Sequence, residues 1–465
     1  MTQNTHADEL FNLDLIHKYD KAGPRYTSYP TAPMFHTGIG ATDYVTSLQR
    51  AASKDVPISL YMHVPFCDTV CYYCGCNKVV TKQRERALPY VEHLLKEIDL
   101  LADAIGNHRT ISQLHWGGGT PTFLNETQIR ELMSKLHERF HFAANEDGEY
   151  GIEIDPRECN DDTVHILRDV GFNRMSMGVQ DFEPAVQKAV NRIQSKEETL
   201  NVLEEARAHG FQSINIDLMY GLPLQTAETF NRTLDTIIDF SPDRIALFNY
   251  AHLPKMFMPQ RRINEADLPS PAEKLNILKL SINRLLAAGY VFIGMDHFAK
   301  PDDELTIAQR EGKLYRNFQG YSTHADAEML GLGITSIGYV DGAFYQNVKT
   351  LDEYYEVVDT GTFPVFRGYQ LSDEDHLRRH VIMRLMCDFA LDFHAFEEKF
   401  GMSFHKHFAV ELEELADMGK DGLLELRENG LTVLPAGRLL IRNISMVFDE
   451  YLRNRQQEVK FSKVI

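Results

Sequence analysis

Ile58-Ser-Leu-Tyr61-Met-His63-Val64-Pro-Phe-Cys67-Asp-Thr-Val-Cys71-Tyr-Tyr73-Cys74-Gly-Cys76-Asn77 opens as a short apolar run and closes as a cysteine loop. A run of this length bounded by a turn predicts a buried strand. From here a pattern repeats along the chain: short apolar run, polar or glycine-rich turn, amphipathic helix. The later runs are 111–116, 150–154, 174–179, 214–219 and 245–250. Between them, Leu88, Val91, Leu95 and Ile98 share one helical face. Asn125 with Gln128, and Ser195 with Glu198, mark helix starts, and Gly210 marks a stop. Ser270, Pro271 and Glu273 begin a further helix that should end at Gly289.

Six strands alternating with helices imply a parallel sheet, because parallel strands need crossovers. Six units rather than eight imply an open barrel. The expected fold is α/β, a partial (β/α)6 barrel, with turns at strand carboxyl ends facing one cavity. Residues 1–50, broken by Pro24, Pro30 and Pro33, are expected to be a loosely structured arm with only short regular elements. Residues 51–368 would hold the barrel and an extension that includes a strand and loop near Phe292. Residues 369–465 would form a small, mostly helical, winged-helix-like domain. In it Asn429-Gly430 turns a hairpin, and 439–451 is helical.

Across 465 residues, 43% hydrophobic and 25% charged composition suits a globular chain with a sizeable core. The net charge of −19 argues against nucleic-acid or anionic-membrane binding, and an anionic substrate would need a locally basic pocket. The opening residues carry no basic and apolar signal pattern, and no apolar run approaches the ~18 residues of a membrane span. Four of the six cysteines lie between Cys67 and Cys76, which reads as a metal site in a reducing cytosol rather than a disulfide framework. A cytoplasmic monomer is expected.

Cys67, Cys71 and Cys74 follow C-x3-C-x2-C spacing. Three thiolates on a four-iron, four-sulfur cubane leave one iron open to bind and reduce a chelating molecule such as S-adenosylmethionine. Zinc held by four thiolates, and an electron-carrying cluster with Cys76 as fourth ligand, are the alternatives. Structural zinc usually draws on separated cysteine pairs, and a fourth corner is strained to reach from two residues past Cys74. Cys76 is therefore expected to be a thiol near the site, not a ligand. Gly117-Gly118-Gly119-Thr120-Pro121 follows the second run, and its backbone can approach a ligand closely. Glu153, Gln180, Asp217 and Arg192 fall at or near later strand ends, where polar groups must find partners. Glu153 and Asp217 suit ribose hydroxyls or an ammonium, and Arg192 suits a carboxylate. Tyr61 and His63 alternate onto one side of their strand. A lone histidine there is more often structural, yet both are candidates to act beside the cluster. Tyr73 offers an aromatic face.

These residues together resemble the radical S-adenosylmethionine superfamily. Closer still, Tyr61-Met-His-Val-Pro-Phe-Cys67, Cys74-Gly-Cys-Asn-Lys78, His115-Trp-Gly-Gly-Gly-Thr-Pro121, Phe172-Asn-Arg-Met-Ser-Met-Gly-Val-Gln180, Asp217-Leu-Met-Tyr-Gly-Leu-Pro223, Phe248-Asn-Tyr-Ala-His-Leu-Pro254 and Arg438-Leu-Leu-Ile-Arg-Asn443 are similar to oxygen-independent coproporphyrinogen III oxidases. The likeness spans nearly the whole chain, including Pro24-Arg-Tyr-Thr-Ser-Tyr-Pro30 in the arm. It implies a [4Fe-4S] cluster on Cys67, Cys71 and Cys74. It also implies S-adenosylmethionine contacts at Tyr61, Tyr73, Gly118, Gly119, Thr120, Glu153, Gln180, Arg192, Asp217, Ala251 and Ile337. Phe318 and Gln319 would lie near a second S-adenosylmethionine. Tyr73 stands where the family is expected to have phenylalanine. As catalytic residues the resemblance leaves Cys76, His63 and Tyr61.

The implied reaction is oxidative decarboxylation of two propionates of coproporphyrinogen III to vinyl groups, giving protoporphyrinogen IX in haem biosynthesis. The implied partners are a reduced flavodoxin- or ferredoxin-type electron donor and an electron acceptor. A haem chaperone of the same branch is the other reading. Such proteins typically lack the arm and the Cys76-Asn77 pair, both present here.

Overall fold

A computed structural model describes residues 7–19, 21–106, 108–144, 147–160, 162–325 and 327–454. The chain divides into two compact units, each assembled from separate stretches. One holds Phe35–Ser270 and Asp326–Gln370. The other holds residues up to Met34, Pro271–Ala325 and residues from Leu371 onward. These cuts differ from the expected 1–50, 51–368 and 369–465, because the chain leaves each unit and returns to it.

In the first unit the six expected strands form: β1 Ile58–Val64, β2 Thr110–Gly118, β3 Glu149–Ile154, β4 Arg174–Gln180, β5 Ser213–Tyr220 and β6 Arg244–Asn249. They pair in parallel in the order β6-β5-β4-β3-β2-β1. The crossovers are helical: α1 Leu88–Ile105, α2 Glu126–Arg139, α3 Thr163–Asp169, α4 Lys196–Ala208 and α5 Ala227–Phe240. The starts of α2 and α4 are the expected capping boxes, Asn125 with Gln128 and Ser195 with Glu198. In α5, Phe230, Leu234 and Ile237 are wholly buried, each contributing about 1.5–3 kcal/mol relative to exposure. The buried stripe of α1 differs from the expected one. Val91, Leu94, Ile98, Leu101 and Ile105 face inward, while Leu88 is 51% exposed. Leu88 is the first residue of the helix, and Leu94 at i+3 from Val91 continues the stripe that packs.

Beyond β1 the sheet continues into strands that the sequence reading did not separate. β7 Glu328–Leu332 lies parallel to β1, with Ile58 opposite Glu328. β8 Ile337–Val340, β9 Ala343–Asn347 and β10 Val365–Gln370 then run as an antiparallel meander. Asp341 and Gly342, with φ of 51° and 76°, make the two-residue turn between β8 and β9, the geometry that matches sheet twist. Because β1 has β2 on one side and β7 on the other, the parallel set does not close on itself at β1. Glu97 of α1 holds the β7–β8 turn. It accepts from Gly333 N–H at 2.7 Å, Tyr354 Oη at 2.6 Å and Asn347 Nδ2 at 2.8 Å. Burial pushes its carboxyl up to about 7 against these three donors.

Part of the expected loose arm is ordered in this unit. An eleven-residue helix, Ala41–Ala51, buries Tyr44, Ser47, Leu48 and Ala51 at helical spacing. Tyr44 meets Tyr345 and Phe363 with ring centroids 4.8 and 5.0 Å apart. No proline follows Pro33 in this stretch, so nothing interrupts the helix.

In the second unit Pro271–Ala287 and Asp373–Asp388 are the long helices. Near Phe292, where a strand and loop were expected, Val291–Gly294 and His297–Ala299 form an antiparallel hairpin. Leu424–Arg427 and Gly430–Val433 form the Asn429-Gly430 hairpin, joined by Ala390–Asp392 as a third strand. The helix expected over 439–451 is divided into Ile441–Met446 and Glu450–Arg453. A phenylalanine cluster forms the core, with Phe393 stacked on Phe404 at 4.0 Å and Phe408 against Phe448 at 5.4 Å. Arm residues 23–29 are tied here. Tyr26 donates to Asp449 at 2.8 Å, and Arg442 Nε donates to Pro24 O at 2.8 Å. Tyr26 and Tyr29 are buried, which is why this segment is not loose despite its prolines.

Candidate active site at the carboxyl edge of the barrel

The cysteine loop leaves β1 and is stapled at several points. Phe66–Cys67 pairs in parallel with Val79–Val80, so the loop returns beside its start. Lys78 Nζ donates to Cys74 O at 3.2 Å. Tyr72 N–H donates to Val190 O at 2.9 Å, and Asn191 Nδ2 to Val70 O at 2.8 Å, pinning the loop to the turn after β4. Gln260 Nε2 donates to Tyr73 O at 2.9 Å.

Each of the three sulfurs faces a protein donor. Thr120 Oγ1 lies 3.7 Å from Cys67 Sγ. Arg157 Nη2 and Arg192 Nη1 lie 3.8 and 3.7 Å from Cys71 Sγ. Cys76 N–H donates to Cys74 Sγ at 3.4 Å. Hydrogen bonding from the Cys76 thiol, reinforced by Lys78, pulls Cys74 down to about 5, while burial pushes Cys67 up to about 11. The same contact with Cys74 raises Cys76. Cys67, Cys71, Cys74 and Cys76 all line one cavity. Among the described residues no three His, Cys, Asp or Glu side chains gather around a point as one metal ion would require. Three donor-supported sulfurs lining one cavity suit a thiolate-held cluster.

The cavity wall is built by strand alternation. Glu153 leaves β3, Ser176, Gly178 and Gln180 leave β4, and Asp217 leaves β5, all lining the cavity with Gly118, Gly119, Thr120, Tyr73 and Arg192. Glu153 Oε2 accepts from Gly118 N–H at 3.1 Å, and Oε1 lies 3.2 Å from His115 Nε2. Burial alone would raise its carboxyl, but His115 and Gly118 outweigh that and hold it below the usual range. Asp217 goes the other way. Burial and the nearby Glu153 push it up to about 7, against donation from Asn215 at 2.7 Å and Ser176 at 3.4 Å. Gln180 takes φ of 69° at a register shift between β4 and β5. The bulge turns its side chain, and Gln180 Oε1 is buried without a partner. That orphaned acceptor in a cavity edged by glycine suits a polar ligand with donors to spare.

The glycine turn needs its residue type. Gly118 has φ of 116°, and a Cβ there would lie 2.4 Å from the His63 ring. At Gly119 a Cβ would meet the backbone of Pro65 and Phe66 at 2.6–2.7 Å.

The structure gathers Tyr73, Gly118, Gly119, Thr120, Glu153, Gln180, Arg192 and Asp217 on this cavity. Tyr61, His63, Ala251 and Ile337 belong to the same unit but do not line it. Tyr61 Oη lies 3.1 Å from His63 Nδ1, and His63 Nε2 lies 3.1 Å from Asn77 O. The carbonyl can only accept, so His63 carries its proton on Nε2 and takes the tyrosine hydroxyl on Nδ1. Burial lowers its pKa, keeping it neutral. Phe318 and Gln319 lie in the second unit, on the turn between Tyr315–Asn317 and Gly320–Ser322.

Sequence reasoning missed Asp155, Arg157 and Ser176. Asp155 bridges Arg157 Nη2 at 2.6 Å and Arg192 Nη1 at 2.9 Å. Their signal was present: Asp155-Pro-Arg157 directly follows β3 and puts charges at a strand end, and Ser176 shares alternation with Gln180.

Comparison with known proteins agrees with this geometry. The Radical SAM superfamily model matches residues 61–237, and the HemN C-terminal domain model matches residues 371–440. The oxygen-independent coproporphyrinogen III oxidase of Pseudomonas aeruginosa is 49% identical over 98% of this chain and 99% of its own. That of Escherichia coli K12 is 50% identical over 98% of both chains. The solved structure described as coproporphyrinogen III oxidase (HemN) from Escherichia coli, a radical SAM enzyme, superposes with a TM-score of 0.90. It has 49% identity and covers 95% of this chain and 99% of that one. These full-length matches favour the oxidase reading over the chaperone.

Proposed function

The chain belongs to the oxygen-independent coproporphyrinogen III oxidases of the radical SAM superfamily, and from this premise we propose how its own residues serve that reaction. The protein is an oxidoreductase of haem biosynthesis that uses a [4Fe-4S] cluster and S-adenosylmethionine. Its substrate is coproporphyrinogen III, and it requires an electron donor. When bound, the cluster and S-adenosylmethionine would supply a 5′-deoxyadenosyl radical able to take a hydrogen atom from a propionate β-carbon, and loss of carbon dioxide together with one electron to an acceptor would leave the vinyl group.

Cys67, Cys71 and Cys74 hold the cluster. Arg157 and Arg192 set positive charge beside Cys71 and stabilise negative charge on that sulfur. Asp155 keeps both guanidiniums aimed. Gly118 and Gly119 bring backbone to the ligand. Glu153, ionised, takes donors of S-adenosylmethionine, and Gln180, Arg192 and Asp217 orient its polar groups. Tyr61 and His63 act by position, bracing the strand against Asn77. Ala251, Ile337, Phe318 and Gln319 complete the contact set on resemblance alone. The observation that carries the reading is the cavity shared by three donor-supported cysteine sulfurs and Glu153, Gln180, Arg192 and Asp217.

The test is anaerobic turnover of cluster-reconstituted protein with reductant, S-adenosylmethionine and coproporphyrinogen III. Protoporphyrin forming with 5′-deoxyadenosine is the expected result. Protein with a full cluster that binds haem but makes neither product, even with cell extract, would sink it.

Cys76 belongs to the reaction as a non-ligand thiol. Cys76→Ser keeps a hydroxyl near Cys74 but removes the thiol. The variant is expected to retain iron and lose turnover by about 100-fold or more, the scale of a lost catalytic proton donor. Iron and sulfide analysis beside the turnover rate decides it, and loss of the cluster would make Cys76 a ligand.

A flavodoxin- or ferredoxin-type donor, a monomeric state and a cytoplasmic place complete the proposal. The cytoplasmic place is supported by the free, clustered cysteines. No helix of the described residues is long and apolar enough to cross a membrane.

A further inference from the structure

Five arginines of the described residues are at least nine-tenths buried: Arg109, Arg192, Arg316, Arg378 and Arg442. Four have a carboxylate or backbone carbonyls as hydrogen-bond partners, although Arg192 Nε is itself buried without one. Arg109 donates to Ala51 and Val56 carbonyls and pairs with Glu328. Arg192 pairs with Asp155 and donates to Gly178 O. Arg378 pairs with Glu374 and Glu411. Arg442 donates to Gly23 and Pro24 carbonyls.

Arg316 is different. It is 3% exposed, yet its Nε and Nη1 are buried without a hydrogen-bond partner. Among the described residues no carboxylate stands within ion-pair distance of it. Its guanidinium instead lies over the Tyr321 ring, 4.8 Å from the centroid. A guanidinium cannot shed its proton to escape burial. A buried cation without a counter-charge is among the costliest placements in a fold. The position calls for an anion.

The same hairpin carries a second such group. Arg316 sits opposite Tyr321 in the short ladder of Tyr315–Asn317 with Gly320–Ser322. On the turn of this hairpin Gln319 Oε1 is a second buried polar atom without a partner. Tyr321 is itself fixed, donating to Met386 O at 3.0 Å, with His297 edge-on at 5.2 Å.

We propose that Arg316 anchors a carboxylate-binding subsite in the second unit and that its ligand is a propionate of the tetrapyrrole substrate. The inference rests on the substrate reading above. The chain carries −19 net charge, so a tetra-acid needs local cations. In the barrel cavity Arg157 and Arg192 are both already paired with Asp155. Among the described residues Arg316 is the buried arginine with neither a carboxylate nor a carbonyl as partner. The methionine carboxylate of S-adenosylmethionine shares this chemistry, since Gln319 lies on the same turn, and the test separates the two sources.

The experiment titrates reconstituted holoenzyme, wild type, Arg316→Met and Arg316→Lys, with three probes. These are coproporphyrin III, its tetramethyl ester and S-adenosylmethionine. Arg316→Met is expected to weaken coproporphyrin binding by about tenfold or more, the scale of a lost charged hydrogen bond. Arg316→Lys should recover part of that loss. Affinity for the ester and for S-adenosylmethionine should be unchanged, as should iron content. Without ligand, the thermal midpoint of Arg316→Met should equal or exceed that of wild type, because an unmatched charge is gone. A merely structural arginine would give a lower midpoint and unchanged affinity, and that result overturns the subsite, as does an Arg316→Met protein that fails to fold. Lost S-adenosylmethionine affinity with coproporphyrin binding intact would overturn the propionate assignment. Wild type failing to bind coproporphyrin would overturn the substrate reading and this inference together. An unaffected Arg316→Met leaves that reading standing.

Discussion

Cys71→Ala is expected to yield protein that folds, holds little iron and forms no measurable 5′-deoxyadenosine or protoporphyrin. Removing one sulfur from a buried site costs a cavity of order ~1 kcal/mol, small beside the stability of a domain. The chemical loss is larger. Cys71 Sγ sits between Arg157 and Arg192 at 3.8 and 3.7 Å, so it is the sulfur with most positive charge around it. Without it, two guanidiniums face a single carboxylate, Asp155, and two thiolates remain for a four-iron cluster. Loss of a partner outside the ligand set costs about 10–100-fold, and loss of a ligand should exceed that, taking turnover down by at least ~1000-fold. Iron and sulfide content, the reduced-cluster paramagnetic signal and 5′-deoxyadenosine formation check it together. A variant with full iron and turnover within tenfold of wild type would show that Cys71 is not a ligand.

Gly119→Ala should separate the cluster from its use. The added carbon would lie 2.6 Å from Phe66 O and 2.7 Å from the Pro65 carbonyl, and both are backbone. No side chain can rotate away to make room. Gly119 N–H also donates to Val64 O at 2.8 Å, and Thr120 N–H to Phe66 O at 2.8 Å. The clash therefore pushes the glycine turn away from the start of the cysteine loop. A displacement of about 1 Å at a positioning element costs on the order of 100-fold in rate. The expected outcome is turnover reduced by about that factor, S-adenosylmethionine affinity weakened and most iron retained. Rates, a ligand titration and iron analysis read it. Unchanged affinity and rate would mean that the turn does not approach the ligand.

Much of this site was legible because its signals are local. Cysteine spacing, the glycine run and single polar residues at the ends of apolar runs are each contained in a few residues. So are the capping boxes at Asn125 and Ser195, which depend on a side chain reaching a backbone three residues away. The meander β7–β10 was harder, although Asp341-Gly342 is a hairpin signal in its own right. Its first strand is parallel to β1, more than two hundred residues earlier, and no local pattern names that neighbour. In the stripe of α1, Val91 and Ile98 face inward as expected, but Leu94 is buried where Leu95 was expected, because the two adjacent leucines are equally apolar and only packing chose between them. The arm was underestimated because its prolines are visible, whereas the partners that bury Tyr26 and Tyr29 come from the far end of the chain.

The sequence by itself determined the alternating strand and helix order, the three-thiolate loop and the polar positions that a cofactor would use. These follow from periodicity and covalent spacing, which hold whatever the chain packs against. Only the tertiary structure decided that Asp155 bridges both cavity arginines, that Gln180 sits at a bulge with its Oε1 buried, and that Arg316 is buried without an anion. Charge pairing and burial depend on distance in space, and residues far apart in the chain become neighbours only when the fold closes.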